Sequence, residues 1–197
     1  MRTSLDIITK INLMIVLLLI PCQAQSFANY NRIVRYDRYF SKYSKRFFGP
    51  HFDWKYFKAQ AIAESRLQAR AKSPTGAVGI MQIMPQTYKE ILIRNGRIKG
   101  PRTHPRWNIA AGIYYNRELW RIWKARRPFQ DRINFMFGSF NAGKGNVLKA
   151  QQLAAREGLN ENLWKSIIRT LPAVTGRRSK ETITYVEKIH TIKQVLR

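Results

Sequence analysis

Ala59-Gln60-Ala61-Ile62-Ala63-Glu64-Ser65-Arg66 is an apolar run that ends on a carboxylate, and Gly79-Ile80-Met81-Gln82-Ile83-Met84-Pro85 follows it closely. The first run predicts a helix with Glu64 near its end. The second opens on a glycine and carries only uncharged side chains. Laid against each other, the two surround one carboxyl with apolar groups. Desolvation disfavours the ionised form, so such a carboxyl can stay protonated near neutral pH. That is the state a general acid requires.

Working outward, Asp53 is placed to cap a helix from Trp54 to about Leu67. Trp54, Phe57, Lys58, Ala61, Ile62 and Ser65 share one broad face of it, and Glu64 lies at the margin, about 90° from the centre of that face. Upstream, Ile33, Tyr36, Tyr39, Phe40, Tyr43 and Phe47 recur at helical spacing between basic residues, predicting an amphipathic helix over 29–48 that ends at Gly49-Pro50. Downstream, 71–79 reads as a loop and Pro85 opens a helix to about Arg94. A second loop covers 100–105. Asn108 is read as the cap of a helix over 109–124. A helix from Asp131 to Phe137 is expected to stop at the run Gly138-Ser139-Phe140-Asn141-Ala142-Gly143. Helices are predicted over 145–157, 163–170 and 181–196, with a basic loop from Pro172 to Ser179. No alternating run predicts a strand. The chain reads as one all-α domain from about residue 30 onward.

Charge and cysteine narrow the functional classes. Thirty-six Lys and Arg against 11 Asp and Glu give a net charge of +25 in 197 residues. Such a field favours anionic polymers: nucleic acid, acidic lipid or an acidic cell wall. At the N-terminus, Arg2 and Lys10 precede an apolar run, Ile11 to Ile20, that spans about 15 Å as a helix, half of a bilayer core. This predicts a secretory signal peptide cleaved after Ala24 or Ala28. Cys22, the only cysteine, sits in Leu19-Ile20-Pro21-Cys22, where proline replaces the small residue usual in a lipidation site. The mature chain then holds no disulfide and no cysteine-based metal site. His51, His104 and His190 are scattered without metal-ligand spacing. Export also weakens the nucleic-acid reading of the charge.

Five stretches in order, from Glu64-Ser65 to Glu181-Thr182-x-x-Tyr185-Val186, resemble the soluble lytic transglycosylase family, whose members cut peptidoglycan. Glu64-Ser65 is similar to the dipeptide whose glutamate is the catalytic acid and base. Ser73 and the following Pro-x-Gly-Ala resemble the loop whose serine helps hold sugar and glutamate. Gly79 to Pro85 resembles the motif whose glutamine and second methionine line the glycan groove, here Gln82 and Met84. Asn141-Ala142-Gly143 resembles a Tyr-Asn-Ala-Gly motif, with Phe140 in place of the usual tyrosine and so one hydroxyl fewer. Tyr185 matches the tyrosine that faces the glutamate, and Glu181 lies one helical turn before it.

The resemblance implies a lysozyme-like fold: residues 1–28 a signal peptide, 29–50 a basic aromatic helical segment and 51–197 the catalytic domain. It implies Glu64 as the catalytic residue, with Ser73, Gln82, Met84, Phe140, Asn141, Glu181 and Tyr185 binding substrate, and no metal or cofactor. Ordinary glycosidases use two carboxylates. A single acid fits substrate assistance, in which the N-acetyl group of the sugar attacks its own anomeric carbon. The muramic acid 6-hydroxyl then closes a 1,6-anhydro ring. The expected setting is the periplasm or cell envelope. The expected partners are peptidoglycan strands, an anionic wall or membrane surface, and a secretion or conjugation apparatus, with no nucleic acid. The rival readings are a hydrolytic muramidase on the same fold and a non-catalytic basic wall-binding protein.

Overall fold

The computed structural model describes residues 26–197; the apolar leader, Cys22 and the cleavage position after Ala24 lie outside them. A short 3-10 turn, Asn29–Arg32, precedes α1 (Asp37–Phe48), α2 (Lys55–Ser65), α3 (Pro85–Arg94), α4 (Pro105–Ile122), α5 (Phe129–Ala142), α6 (Lys144–Arg156), α7 (Trp164–Thr175) and α8 (Arg178–Val195). Among the described residues there is no strand, only isolated bridges from Val78 to Lys72 and to Ile83. The all-α expectation holds. No described helix is long and apolar enough to cross a membrane.

The helix that ends on Glu64 is central. In α2, Phe57, Lys58, Ala59, Gln60, Ala61, Ile62 and Ser65 are all buried. Sequence periodicity puts Ala59 and Gln60 on the far side from the apolar face. The structure buries them too, because α8 and α1 both pack on α2. A helix covered on most sides shows no polar stripe. Asp53 accepts a hydrogen bond from the Lys55 amide at 3.0 Å, which satisfies one orphan donor of the first turn. Lys58, only 3% exposed, meets the Asp37 carboxylate of α1 at 2.8 Å. That pairing offsets the cost of burying an ammonium group.

Several expected boundaries shift for visible reasons. The 29–48 segment is not one helix: the chain breaks at Ile33 and α1 starts at Asp37. The break lets Asn31 clamp the C-terminus, donating to the Val195 carbonyl at 2.8 Å and accepting from the Arg197 amide at 2.9 Å. Asn108 does not cap a helix. It is fully buried inside α4, which starts at Pro105. Gly138 does not stop α5, which runs to Ala142. Its missing side chain admits the Trp164 ring; a Cβ there would stand 2.2 Å from the ring. Finally, most of the expected loop at 172–179 is helical. α7 continues through Pro172 to Thr175, anchored by buried Leu171 and by the Thr170 hydroxyl, which donates to the Ala150 carbonyl at 2.8 Å.

Gly138→Ala should therefore overpack the Phe135–Trp164 contact and lower stability by about 1–3 kcal/mol. A thermal melt should show Tm reduced by at least about 3 °C. An unchanged Tm would mean that Trp164 moves aside without cost.

Candidate active site

After Ser65 the backbone reverses through two successive left-handed residues, Arg66 (φ 55°) and Leu67 (φ 61°). Such conformations are costly for residues with a side chain, and here the burial of Leu67, 1% exposed, offsets the cost. The reversal ends α2 two residues earlier than periodicity suggests. It also brings the 71–83 loop back across the end of α2. The Ser65 hydroxyl donates to the Ile80 carbonyl at 2.8 Å and so joins the helix end to the loop. Asn108 accepts from the Met81 amide at 2.7 Å and donates to the Val78 carbonyl at 2.9 Å. Arg102 donates to the carbonyls of Gly76 at 3.1 Å and Ile83 at 2.9 Å. Gly79 (φ 80°) is required twice: for its backbone, and because a Cβ would lie 2.6 Å from the Asn108 amide.

Glu64 faces the other way, towards α8. The Tyr185 hydroxyl donates to its Oε1 at 2.5 Å. Gln60 donates to that hydroxyl at 3.0 Å, and Asn116 donates to Gln60 at 2.7 Å. A cleft of about 610 Å³ opens beside the carboxyl, lined by Ala63, Asn141, Arg177, Lys180, Glu181, Thr184, Tyr185 and Lys188. Burial pushes the Glu64 carboxyl up to about 7. The Tyr185 hydrogen bond and the charge of Lys188 act against that rise, and Glu181 adds to it. Burial, with the neighbouring Glu64 charge, holds the Tyr185 phenol well above its ordinary value, so it remains a donor. Near neutrality the carboxyl can therefore give up a proton and take one back.

Of the residues singled out by sequence, Asn141, Glu181 and Tyr185 line the cleft with Glu64. The Asn141 side-chain oxygen accepts from Thr182 at 2.7 Å, which joins α5 to α8. Ser73, Gln82, Met84 and Phe140 do not line this cleft. Ser73 shapes its own loop, accepting from the Ala77 amide at 2.9 Å and meeting the Thr75 hydroxyl. Gln82 turns its amide nitrogen inward onto the Gly79 carbonyl at 2.9 Å. Met84, 39% exposed, lies at solvent where the loop enters α3. Phe140 packs on Tyr115, with ring centroids 5.4 Å apart. Asp131 is not among the residues lining the cleft; it accepts from the Trp164 amide at the start of α7, 2.6 Å away. Sequence reasoning missed Gln60, Asn116, Asn108, Arg102 and Lys188. Gln60 is one turn before Glu64 on the same helix, a spacing that could have drawn attention to it.

Residues 39–163 match the transglycosylase SLT domain family. The chain belongs to that family. The match stops before α8, so Tyr185 and Glu181 lie beyond it. Membrane-bound lytic murein transglycosylase F of Shewanella pealeana is 29% identical over 170 residues, covering 81% of this chain and 33% of that protein. Its counterpart in Desulfosudis oleivorans is 30% identical, covering 85% and 37%. The chain thus spans about a third of the length of these curated relatives. The 70 kDa soluble lytic transglycosylase SLT70 of Escherichia coli superposes with a TM-score of 0.62 at 25% identity, over 82% of this chain and 24% of that one. An inactive Glu-to-Gln mutant of lytic transglycosylase Slt from Pseudomonas aeruginosa shares the fold, with a TM-score of 0.61 at 22% identity over 81% and 23%. These likenesses fix the SLT domain as lysozyme-like and helical.

Burial of Glu64 also links stability to pH. Its folded value lies above the ordinary 4.5, so its contribution is full below about 4.5 and is lost as pH rises through about 7. Glu64→Gln stays neutral throughout. The variant should melt several degrees above the parent at pH 8, and the gap should close towards pH 4.5. A gap independent of pH would show that the carboxyl titrates at an ordinary value.

Proposed function

We propose that this SLT domain is a peptidoglycan lytic transglycosylase acting in the cell envelope, cleaving the β-1,4 bond between MurNAc and GlcNAc. The observation that carries the reading is one half-buried carboxyl, raised to about 7 and bonded to a tyrosine, at the wall of a cleft. Glu64 protonates the glycosidic oxygen as the C1–O bond breaks, and the leaving GlcNAc departs with a neutral hydroxyl. The N-acetyl oxygen of the MurNAc residue attacks C1 and holds the positive charge in a ring. Glu64, now ionised and steadied by Tyr185, takes the proton of the 6-hydroxyl as that oxygen closes on C1 and the bond from C1 to the N-acetyl oxygen breaks, restoring the neutral acetamido group. The carboxyl ends the cycle protonated, as it began.

Supporting groups follow from the lining. Asn141 offers an amide near the reacting acid for an N-acetyl group. Ser73, Gln82 and Met84 belong to the loop pinned across the end of α2, which we assign to the more distant part of the glycan groove; Phe140 supports the Asn141 wall. Arg177, Lys180 and Lys188 give the cleft a positive rim suited to an acidic wall. Export by the apolar leader accords with this substrate and with the membrane-bound relatives. The rim Glu181 is exposed and modulates Glu64 without replacing it.

Glu64→Gln should lower turnover on purified wall by about 10²- to 10⁴-fold or more, while Glu181→Gln loses far less. Near-normal digestion by Glu64→Gln would remove the assignment. Sedimentation with purified wall should show binding by both the parent and Glu64→Gln. It should weaken steeply with salt as the Debye length falls to about 8 Å near physiological ionic strength. Salt-independent binding would mean that neutral groove contacts dominate over the +25 charge.

A further inference from the structure

Behind Tyr185, away from the cleft, lies a buried polar chain that packing alone does not require. Gln60 of α2 and Asn116 of α4 are both fully buried, 56 positions apart. Asn116 Nδ2 donates to the Gly112 carbonyl at 3.0 Å and to Gln60 Oε1 at 2.7 Å. Gln60 Nε2 donates to the Tyr185 hydroxyl at 3.0 Å. That hydroxyl donates to Glu64 Oε1 at 2.5 Å. From Asn116 to Tyr185, the hydrogens of the three linking bonds point towards Glu64.

The direction is forced from the far end. A main-chain carbonyl can only accept, so the nitrogen of Asn116 must face Gly112. Its remaining hydrogen then requires the oxygen of Gln60 to face it. A flipped Gln60 would set two NH₂ groups against each other. With Gln60 oriented, its nitrogen fills an acceptor site on the Tyr185 oxygen, and the single hydroxyl proton is left for Glu64. Asn116 Oδ1 has no partner and is buried, which costs stability. A pair of leucines would avoid that cost, and would leave the tyrosine proton undirected.

We infer that Gln60 and Asn116 are positioning residues: they fix the Tyr185 hydroxyl as a donor to Glu64 and thereby set the proton affinity of the catalytic carboxyl. The inference rests on the proposed role of Glu64. The other charged groups around that carboxyl are Lys180, Glu181 and Lys188 on α8 and Arg177 in the turn before it, with Arg66 beside Lys188 in the adjoining cavity. α5 contributes only the neutral Asn141. None of these groups is hydrogen-bonded to the Tyr185 hydroxyl, whose partners are Gln60 and Glu64.

The test is titration of the Glu64 carboxyl by ¹³C NMR in the intact protein, with Glu64→Gln used to assign the signal. Gln60→Leu/Asn116→Leu removes both amides together, and Gln60→Met preserves volume if the double variant does not fold. In either variant the midpoint should rise by about half to one pH unit, because one neutral hydrogen bond to the ionised carboxyl is weakened. Tyr185→Phe should give a shift at least as large. In the Tyr185→Phe background, Gln60→Met should add nothing. The falling alkaline limb of kcat/KM should move up in parallel. An unmoved midpoint in a folded variant overturns the inference, as does an equal further shift in the Tyr185→Phe background, which would mark a merely structural effect. Failure of the parent to cleave wall would instead overturn the proposed function, since the titration does not depend on activity.

Discussion

The hydrogen bond from Tyr185 to Glu64 joins residues 121 positions apart, and it forms only where α2 and α8 pack along each other. Burying a carboxyl is expensive, and burying it unpaired would push it so far towards the neutral form that it could never serve as a base. Pairing it with a neutral donor is a compromise. Burial still wins, which gives the value near 7, but the ionised form keeps one strong partner. An arginine in that place would hold the group ionised and remove the acid. Tyrosine, itself buried and reluctant to ionise, cannot do so.

That compromise demands rigidity on both sides of the carboxyl. On one side, the two left-handed residues after Ser65 turn the chain sharply enough for the 71–83 loop to lie over the helix end. Asn108, Arg102 and the Ser65 hydroxyl then hold the loop at its carbonyls and amides. On the other, α8 is fixed against α5 by Thr182 and Asn141 and packs along α2. Function and stability meet in the same residues. Loosening either support would leave Glu64 in water, at an ordinary acidity, with little to offer a glycosidic oxygen near neutral pH.

Much of this was legible in the chain because it is written locally. Apolar spacing, prolines at helix starts and glycines at turns marked most helices, and the order of the Glu-Ser, Gly-Ile-Met-Gln and Asn-Ala-Gly stretches marked the site. Several misreadings share one cause: the deciding partner lay far away in sequence. Gly138 looked like a break until Trp164 filled the space beside it. Asn108 looked like a cap until its side chain was seen spanning the loop. Gln60 went unnoticed because a helix covered on several sides carries no stripe to read.

The central claim is that one carboxyl, working alone in a sheltered cleft, completes the reaction with a nucleophile from the substrate itself. An intramolecular hydroxyl held in line can have an effective molarity on the order of 10⁵ M or more, well above that of water. Mass spectrometry of a wall digest, with a reducing-end assay on the same sample, tests this directly. The account predicts 1,6-anhydro-MurNAc ends, lighter by one water than hydrolysed ends and without a reducing group. Predominantly reducing MurNAc ends would contradict it and make the protein a muramidase on this fold.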